Sequence, residues 1–239
     1  KLKETTSSTF SIPEVEAFIN SFSCTSLKAK SSVKSDIRIV IHDQHTGTTP
    51  MLGFSIKSQL GGASTLLNAG KTTNFIYEII GVDLTETQNP VFGNNLTLID
   101  SALPEIVSEI VKLFFTSTYS RTEDLVSVIS ASNPIGYKLD THHPFYSYKI
   151  KRLLTDIALG MMPASVWTGQ LDATGGYLVV KEDGEVLCYH IYNRNEFEDY
   201  LLRNTKLETA SSSRHDFGKA YKVNGNCFFK LNLQIRFLK

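Results

Sequence analysis

The sequence predicts an α+β fold (mixed α/β), with a central mixed β-sheet flanked by helices. Three observations predict it. Short alternating apolar segments near both ends read as strands, and two pairs in the last third are hinged on Asp183-Gly184 and Asn224-Gly225. The middle of the chain carries apolar residues at helical spacing instead. Strands and helices fall in separate stretches, which favours α+β over a regular strand-helix alternation.

In chain order, Ser11-Ile-Pro-Glu14 reads as a capping box with proline in the first turn. Val15, Phe18, Ile19 and Phe22 continue it as one helical stripe. A polar connection over 23–35 leads to Asp36-Ile-Arg-Ile-Val-Ile-His42, whose alternation predicts a strand. Turn chemistry at Thr46-Gly47 returns the chain as a second strand, Leu52–Lys57. A Gly/Ser/Thr-rich loop over 58–73 precedes a third strand, Asn74–Ile80. Helices are predicted from Pro104 to about Phe115, from Glu123 to Ile129 and from Pro144 to Leu159. Hairpin strands 177–181 and 186–192 follow, then a short helix 196–203 and a second hairpin, 219–223 with 228–237.

A chain of 239 residues with 41% hydrophobic and 20% charged residues is long and apolar enough for one sizeable core, or one core and a satellite. Disorder and fibrous repeats are excluded on composition. No apolar run approaches the ~18 residues of a membrane span, and no signal peptide opens the chain. Cys24, Cys188 and Cys227 fit neither a disulfide framework nor a zinc site, which reads as cytoplasmic. The start at Lys1 reads as a piece lacking its N-terminal part. The 24 basic and 24 acidic side chains cancel, but unevenly: residues 81–200 carry −8, and the two ends together +8. Scattered solvated charge accounts for this as well as a basic face does.

The first hairpin gathers polar groups. A turn centred on Thr46-Gly47 would set Asp36 across from Lys57 and Arg38 across from Ser55. Asp36, Ser55, Lys57 and Gln59 would then project from one face, while Ile37, Ile39, Ile41, Phe54 and Ile56 pack on the other. A carboxylate beside a lysine on a rigid hairpin suits a hard cation such as Mg²⁺ and the activation of a water. The same pair also fits an ordinary cross-strand ion pair on a solvated face. Glu16, on the preceding helix, is a candidate auxiliary acid; Glu14 is better spent on the helix end, and Asp43 falls on the opposite strand face.

A helix, an Asp opening a strand and an x-x-Lys closing the next resemble the PD-(D/E)xK nuclease core. Ser35 stands where that pattern has proline, and Ser55 replaces its second acid, giving an S-x-K variant. Longer stretches resemble the HpaII family of type II restriction endonucleases: Asp36–Ile39, Leu52–Gly61, Ser64–Ala69, Thr73–Tyr77, Trp167–Gln170, Asp172–Tyr177, Tyr189–Leu201 and Lys230–Phe237. The resemblance implies a restriction-endonuclease-like core and Mg²⁺-dependent cleavage of double-stranded DNA at CCGG. It also implies a cognate methyltransferase that protects host DNA. On this reading residues 1–239 form a single catalytic and DNA-binding domain, with a nuclease core at about 11–160 and a recognition region at about 161–239. Asp36 and the Ile56 carbonyl would hold the metal, Lys57 would activate the water, and Ser55 would contribute an oxygen contact. The rival reading is a non-catalytic DNA-binding module, a decayed nuclease lacking the second acid.

Thr65-Leu-Leu-Asn-Ala-Gly-Lys71-Thr72 approaches a P-loop, but Thr65 occupies the first glycine position, where a Cβ hinders the phosphate cradle. Thr65, Asn68 and Lys71 make better sense as loop contacts to DNA, with Gln59 beside them. His142-His143-Pro144 reads as a loop rather than a metal site. Tyr189, Tyr192 and Tyr200 read as core residues before base-stacking ones. For guanine readout the candidates are Arg214 and His215, in the polar loop 209–218, with Gln170 and Arg194. Each of these serves equally as a phosphate contact or a plain surface residue.

Overall fold

The computed structural model describes residues 12–21, 33–81, 102–136, 144–162, 165–190, 193–210 and 220–239. Helix α1 (Pro13–Asn20) starts on its proline with Ile12 as N-cap and no side-chain cap; Ser11, the expected cap, lies outside the described residues, as does Phe22. None of the residues of α1 is buried, and Val15 and Phe18 of the expected stripe are exposed. Strands β1 (Ile37–Val40) and β2 (Met51–Ser58) form the first hairpin. β3 (Thr65–Leu67), a 3-10 turn (Lys71–Thr73) and β4 (Asn74–Ile79) follow.

Three helices then build the core: α2 (Leu103–Thr116), α3 (Thr122–Ser132) and α4 (Pro144–Leu159). α2 buries Leu103, Ile106, Val107, Ile110 and Val111, a stripe at three- and four-residue spacing. α4 buries Ile150, Leu153, Leu154 and Ile157 in the same way and packs between α3 and the next helix. α3 stops at Asn133, which adopts the left-handed conformation (φ 42°) and accepts the Tyr146 hydroxyl at 2.8 Å. The rest comprises β5 (Gly176–Val180), β6 (Val186–His190), α5 (Arg194–Arg203), β7 (Thr205–Glu208), β8 (Ala220–Val223), β9 (Asn226–Asn232) and β10 (Gln234–Phe237). No helix among the described residues is long and apolar enough to cross a membrane.

The strands form three sheets, ordered β1-β2-β5-β6, β3-β10-β7 and β4-β9-β8. β2 and β5 are parallel while their outer neighbours are antiparallel, so the four-stranded sheet is mixed. The segment expected as one long strand over 228–237 breaks at Leu233, and its halves β9 and β10 serve different sheets. β3 and β7 had no strand signal of their own; each is a short run made a strand by pairing with β10.

Two expectations for the first hairpin are corrected. Its register is shifted by two residues: Ile37 pairs with Phe54 and Arg38 with Gly53 instead of Ser55, and the Asp36 N–H donates to the Phe54 carbonyl at 2.8 Å, so Asp36 does not stand across from Lys57. The turn lies earlier because Asp43 organises it. Its carboxylate accepts the His45 N–H (2.9 Å) and the Thr46 hydroxyl (2.8 Å), and Gly47, at φ 67°, turns the chain back. These bonds, the Thr46 hydroxyl first, hold the exposed Asp43 carboxyl below its usual range.

The second correction concerns the faces. Ile37, Ile39 and Ile41 are exposed, whereas Gly53 and Ser55 are buried. The core packs on the Ser55 side, where Tyr177 and Val179 of β5 are sealed and the Tyr177 ring lies 5.0 Å from Phe197 of α5. The polar row and the core thus share one side of the sheet, and the isoleucines of β1 lie on the other.

Candidate active site

Asp36 sits one residue before β1, where that strand has stopped covering the edge of β2. Its Oδ2 accepts the Ile56 N–H at 2.6 Å and lies 3.4 Å from the Ser55 hydroxyl. The N–H and C=O of one strand residue face the same edge, so the Ile56 carbonyl borders the same gap. Oδ1 of Asp36 has no hydrogen-bond partner among the described residues. Ser55 is fully buried, and Tyr177 stands beside it in register, with Tyr189 beyond.

Two lysines flank the carboxylate. Burial lowers the Lys57 ammonium, and Asp36 pulls it part of the way back. Lys34 is lowered further, to about 8, by burial first and then by the positive charge of Lys57, against the attraction of Asp36. Lys34 was not foreseen as a site residue. Its only signal in the sequence is parity: two residues before Asp36, it falls on the same side of an extended chain.

The main chain around Asp36 is held from a distant segment. Asp172 Oδ2 accepts the N–H groups of Lys34 (2.6 Å) and Ser35 (2.7 Å), and its Oδ1 accepts from Arg38 at 2.7 Å. The Ser35 hydroxyl donates to the Asp172 carbonyl at 2.7 Å. Burial pushes the Asp172 carboxyl up, but hydrogen bonding from Ser35, Lys34 and Arg38 together holds it below its usual range.

Comparison with known proteins supplies the lineage of this arrangement. A family model described as HpaII restriction endonuclease matches residues 1–89 and 81–237. The chain belongs to that family. The Type II restriction enzyme HpaII of Haemophilus parainfluenzae is 51% identical, over 96% of this chain and 72% of its own length. No solved structure matches.

The remaining positions singled out in this HpaII-family chain scatter around the hairpin. Gln59 follows β2, and its N–H donates to the Val180 carbonyl at 2.8 Å. Thr65 opens β3 opposite Arg236, so the P-loop-like stretch begins as a strand of a sheet and not as a phosphate cradle. Asn68 and Lys71 are exposed. The loop between them is pinned by the buried Asn232, which donates to the Gly70 carbonyl at 3.0 Å and to Asn74 at 2.6 Å. Gln170 is exposed on a cleft of about 310 Å³ that also takes in Val33, Trp167, Leu171 and Asp172. Arg194 is engaged by Glu198 at 2.9 Å, an acid that Arg152 also reaches at 3.0 Å. Tyr189 and Tyr200 pack together with ring centroids 4.6 Å apart.

No hydrogen bond or ion pair joins Glu16 to Asp36, Ser55 or Lys57. Arg214 and His215, with His142, His143 and Tyr192, lie outside the described residues.

Among the described residues no three His, Cys, Asp or Glu side chains cluster as a metal site. One carboxylate with an open oxygen and an adjacent strand carbonyl nevertheless suit Mg²⁺, which binds through one or two carboxylates and completes its shell with water and substrate phosphate. The donor set fits an ion that arrives with DNA.

Proposed function

We propose that this chain is a type II restriction endonuclease that hydrolyses double-stranded DNA at CCGG, with Mg²⁺, in a cytoplasm where a cognate methyltransferase protects host sites. The observation that carries the proposal is the Asp36 carboxylate held on the Ile56 N–H within the field of two lysines, in a chain 51% identical to HpaII. The S-x-K hairpin is read as a PD-(D/E)xK-type core with Ser55 in the place of the second acid.

Asp36 and the Ile56 carbonyl would hold the metal, which supplies neutralisation of charge on the phosphate and leaving oxygen. Lys57, in the neutral amine form that burial favours, accepts a proton from the attacking water. Lys34 adds positive charge beside the pentavalent phosphorus. In-line attack on phosphorus breaks the P–O3′ bond, and the departing oxygen takes a proton from solvent, which leaves a 5′-phosphate and a 3′-hydroxyl. Ser55 donates to Asp36 and orients it. Glu16 is retained as an auxiliary acid, and Ile56 acts through both its main-chain groups. Gln59, Thr65, Asn68, Lys71, Gln170, Arg194, Arg214 and His215 are proposed as DNA contacts. For Arg194 to reach a base it must leave Glu198.

A second reading, a DNA-binding module without catalysis, draws on the neutral, sealed Ser55 at the second acid's position. Plasmid incubated with the protein and Mg²⁺ separates the two: fragments ending at CCGG are expected. Asp36→Asn and Lys57→Ala are each expected to lower the cleavage rate at least a hundredfold while specific DNA affinity stays within tenfold. Wild-type nicking by either variant overturns the assignment.

A further inference from the structure

Asp36 belongs to a poorly anchored element. Every residue of β1 is exposed, and β1 is an edge strand of its sheet. A metal-holding carboxylate there needs its main chain fixed by something better packed. Asp172 meets that need from 134 to 138 residues away in the sequence. Its own N–H and that of Ala173 donate to the Leu159 carbonyl, both at 2.9 Å, at the C-terminal end of α4, the most deeply buried helix of the core. Its carboxylate then takes the two consecutive N–H groups just before Asp36, and its carbonyl takes the Ser35 hydroxyl. Two consecutive main-chain donors on one oxygen fix the dihedral angles between them, which sets the direction in which the next residue leaves.

Gly53 makes the approach possible. A Cβ on it would lie 2.2 Å from the Ser35 Oγ and 2.3 Å from the Asp172 carbonyl oxygen. The neighbouring segment closes the arrangement: the Gly175 N–H donates to the Gly53 carbonyl at 2.7 Å.

We infer that Asp172 is a positioning residue for the reaction, holding Lys34-Ser35-Asp36 against the end of α4 so that the Asp36 carboxylate stays on the Ile56 N–H. The inference rests on the reading of Asp36 as the metal-holding acid. Groups that hold a metal ligand in place typically change metal affinity or activity by about 10- to 100-fold when removed. Asp172→Asn keeps the size of the side chain but leaves one acceptor oxygen where two now take three bonds.

The test combines a metal-free readout with a kinetic one. In Asp172→Asn without metal or DNA, the Ile56 amide is expected to exchange with solvent at least tenfold faster than in the wild type, while the Leu153 and Leu154 amides of α4 stay within twofold. Single-turnover cleavage of a CCGG duplex is expected to fall at least tenfold, its Mg²⁺ midpoint to rise, and DNA affinity to stay within threefold. Ile56 exchange within twofold of wild type overturns the inference, as does faster exchange with an unchanged rate and midpoint. If Asp172→Asn does not fold, Ser35→Ala, which removes only the hydroxyl bond, is judged by the same criteria. Asp36→Asn run in parallel separates the two levels: full cleavage by that variant defeats the assignment of Asp36, whereas a dead Asp36→Asn beside an unaffected Asp172→Asn defeats the positioning role alone.

Discussion

Lys34 holds a positive charge against its own burial and the nearby charge of Lys57, and that has a measurable consequence. Its folded value of about 8 lies below the ordinary 10.5, so between those limits the unfolded chain carries a proton that the folded protein has released. Where the unfolded state binds more protons, stability rises with pH. The penalty is therefore full below pH 8 and fades toward pH 10.5. Lys34→Met, which keeps the apolar stem and removes the charge, is expected to be more stable than wild type at pH 7 by about 1–3 kcal/mol, after discounting for the partial exposure of the lysine. At pH 10 the gap should have largely closed. Urea unfolding of both proteins at the two pH values checks this; a gap independent of pH contradicts it. Asp36 and Lys57 were legible as a pair because the S-x-K spacing and the hairpin are local features. Lys34 carried only its parity, and Asp172 nothing, since its role consists of bonds to residues far away in the chain.

At the scale of the element, the first hairpin is decided by close approaches. Gly53 pairs with Arg38 on the buried side of β2, where Ser35 and the Asp172 main chain fill the place a side chain would take. Gly53→Ala has no room, because one of the two atoms its methyl would meet is backbone. It is expected to destabilise the protein by about 1–3 kcal/mol, the range for overpacking a filled site, and to slow cleavage by displacing Asp36. A urea midpoint equal to that of wild type would argue against this packing. The same hairpin shows why strand alternation alone misled. Period two separated the residues into two sets correctly, and the two-residue register shift left those sets intact. Which set faces the core depended on where α5 and the loop before β5 dock, and that is invisible to local pattern. The turn could have been placed from Asp43, whose short side chain bonds to the backbone two residues on, had its chemistry been weighed against Thr46-Gly47.

Across the whole molecule, the stretch from β9 to β10 connects two sheets and reaches the site from below. The Leu233 N–H donates to the Thr73 carbonyl at 3.0 Å where the strand changes sheet, and Phe237 ends it against the rings of Tyr177 and Tyr200, with centroids 6.2 and 6.3 Å away. Phe237 is 2% exposed, and Phe237→Ala is expected to lose about 3–5 kcal/mol, as large-to-small core changes do, measured by urea unfolding. A loss below 1 kcal/mol would show that the floor beneath Tyr177 closes over the gap. The net charge of zero takes on a local meaning here: Lys34, Arg38 and Lys57 all come from the basic N-terminal stretch, and Arg38 is neutralised by an ion pair with Asp172.

By itself the sequence determined the kinds of element, the three core helices, both later hairpins and the Asp36–Lys57 hairpin, because each is written in the periodicity and turn chemistry of neighbouring residues. Its longer motifs also determined the family. Only the tertiary structure decided the side of the sheet that is buried, the division of the last strand between two sheets and the bonds that Asp172 makes to the segment before β1. Those features are contacts between segments more than a hundred residues apart, or the outcome of which surface docks on which, and neither has a signature within a local window.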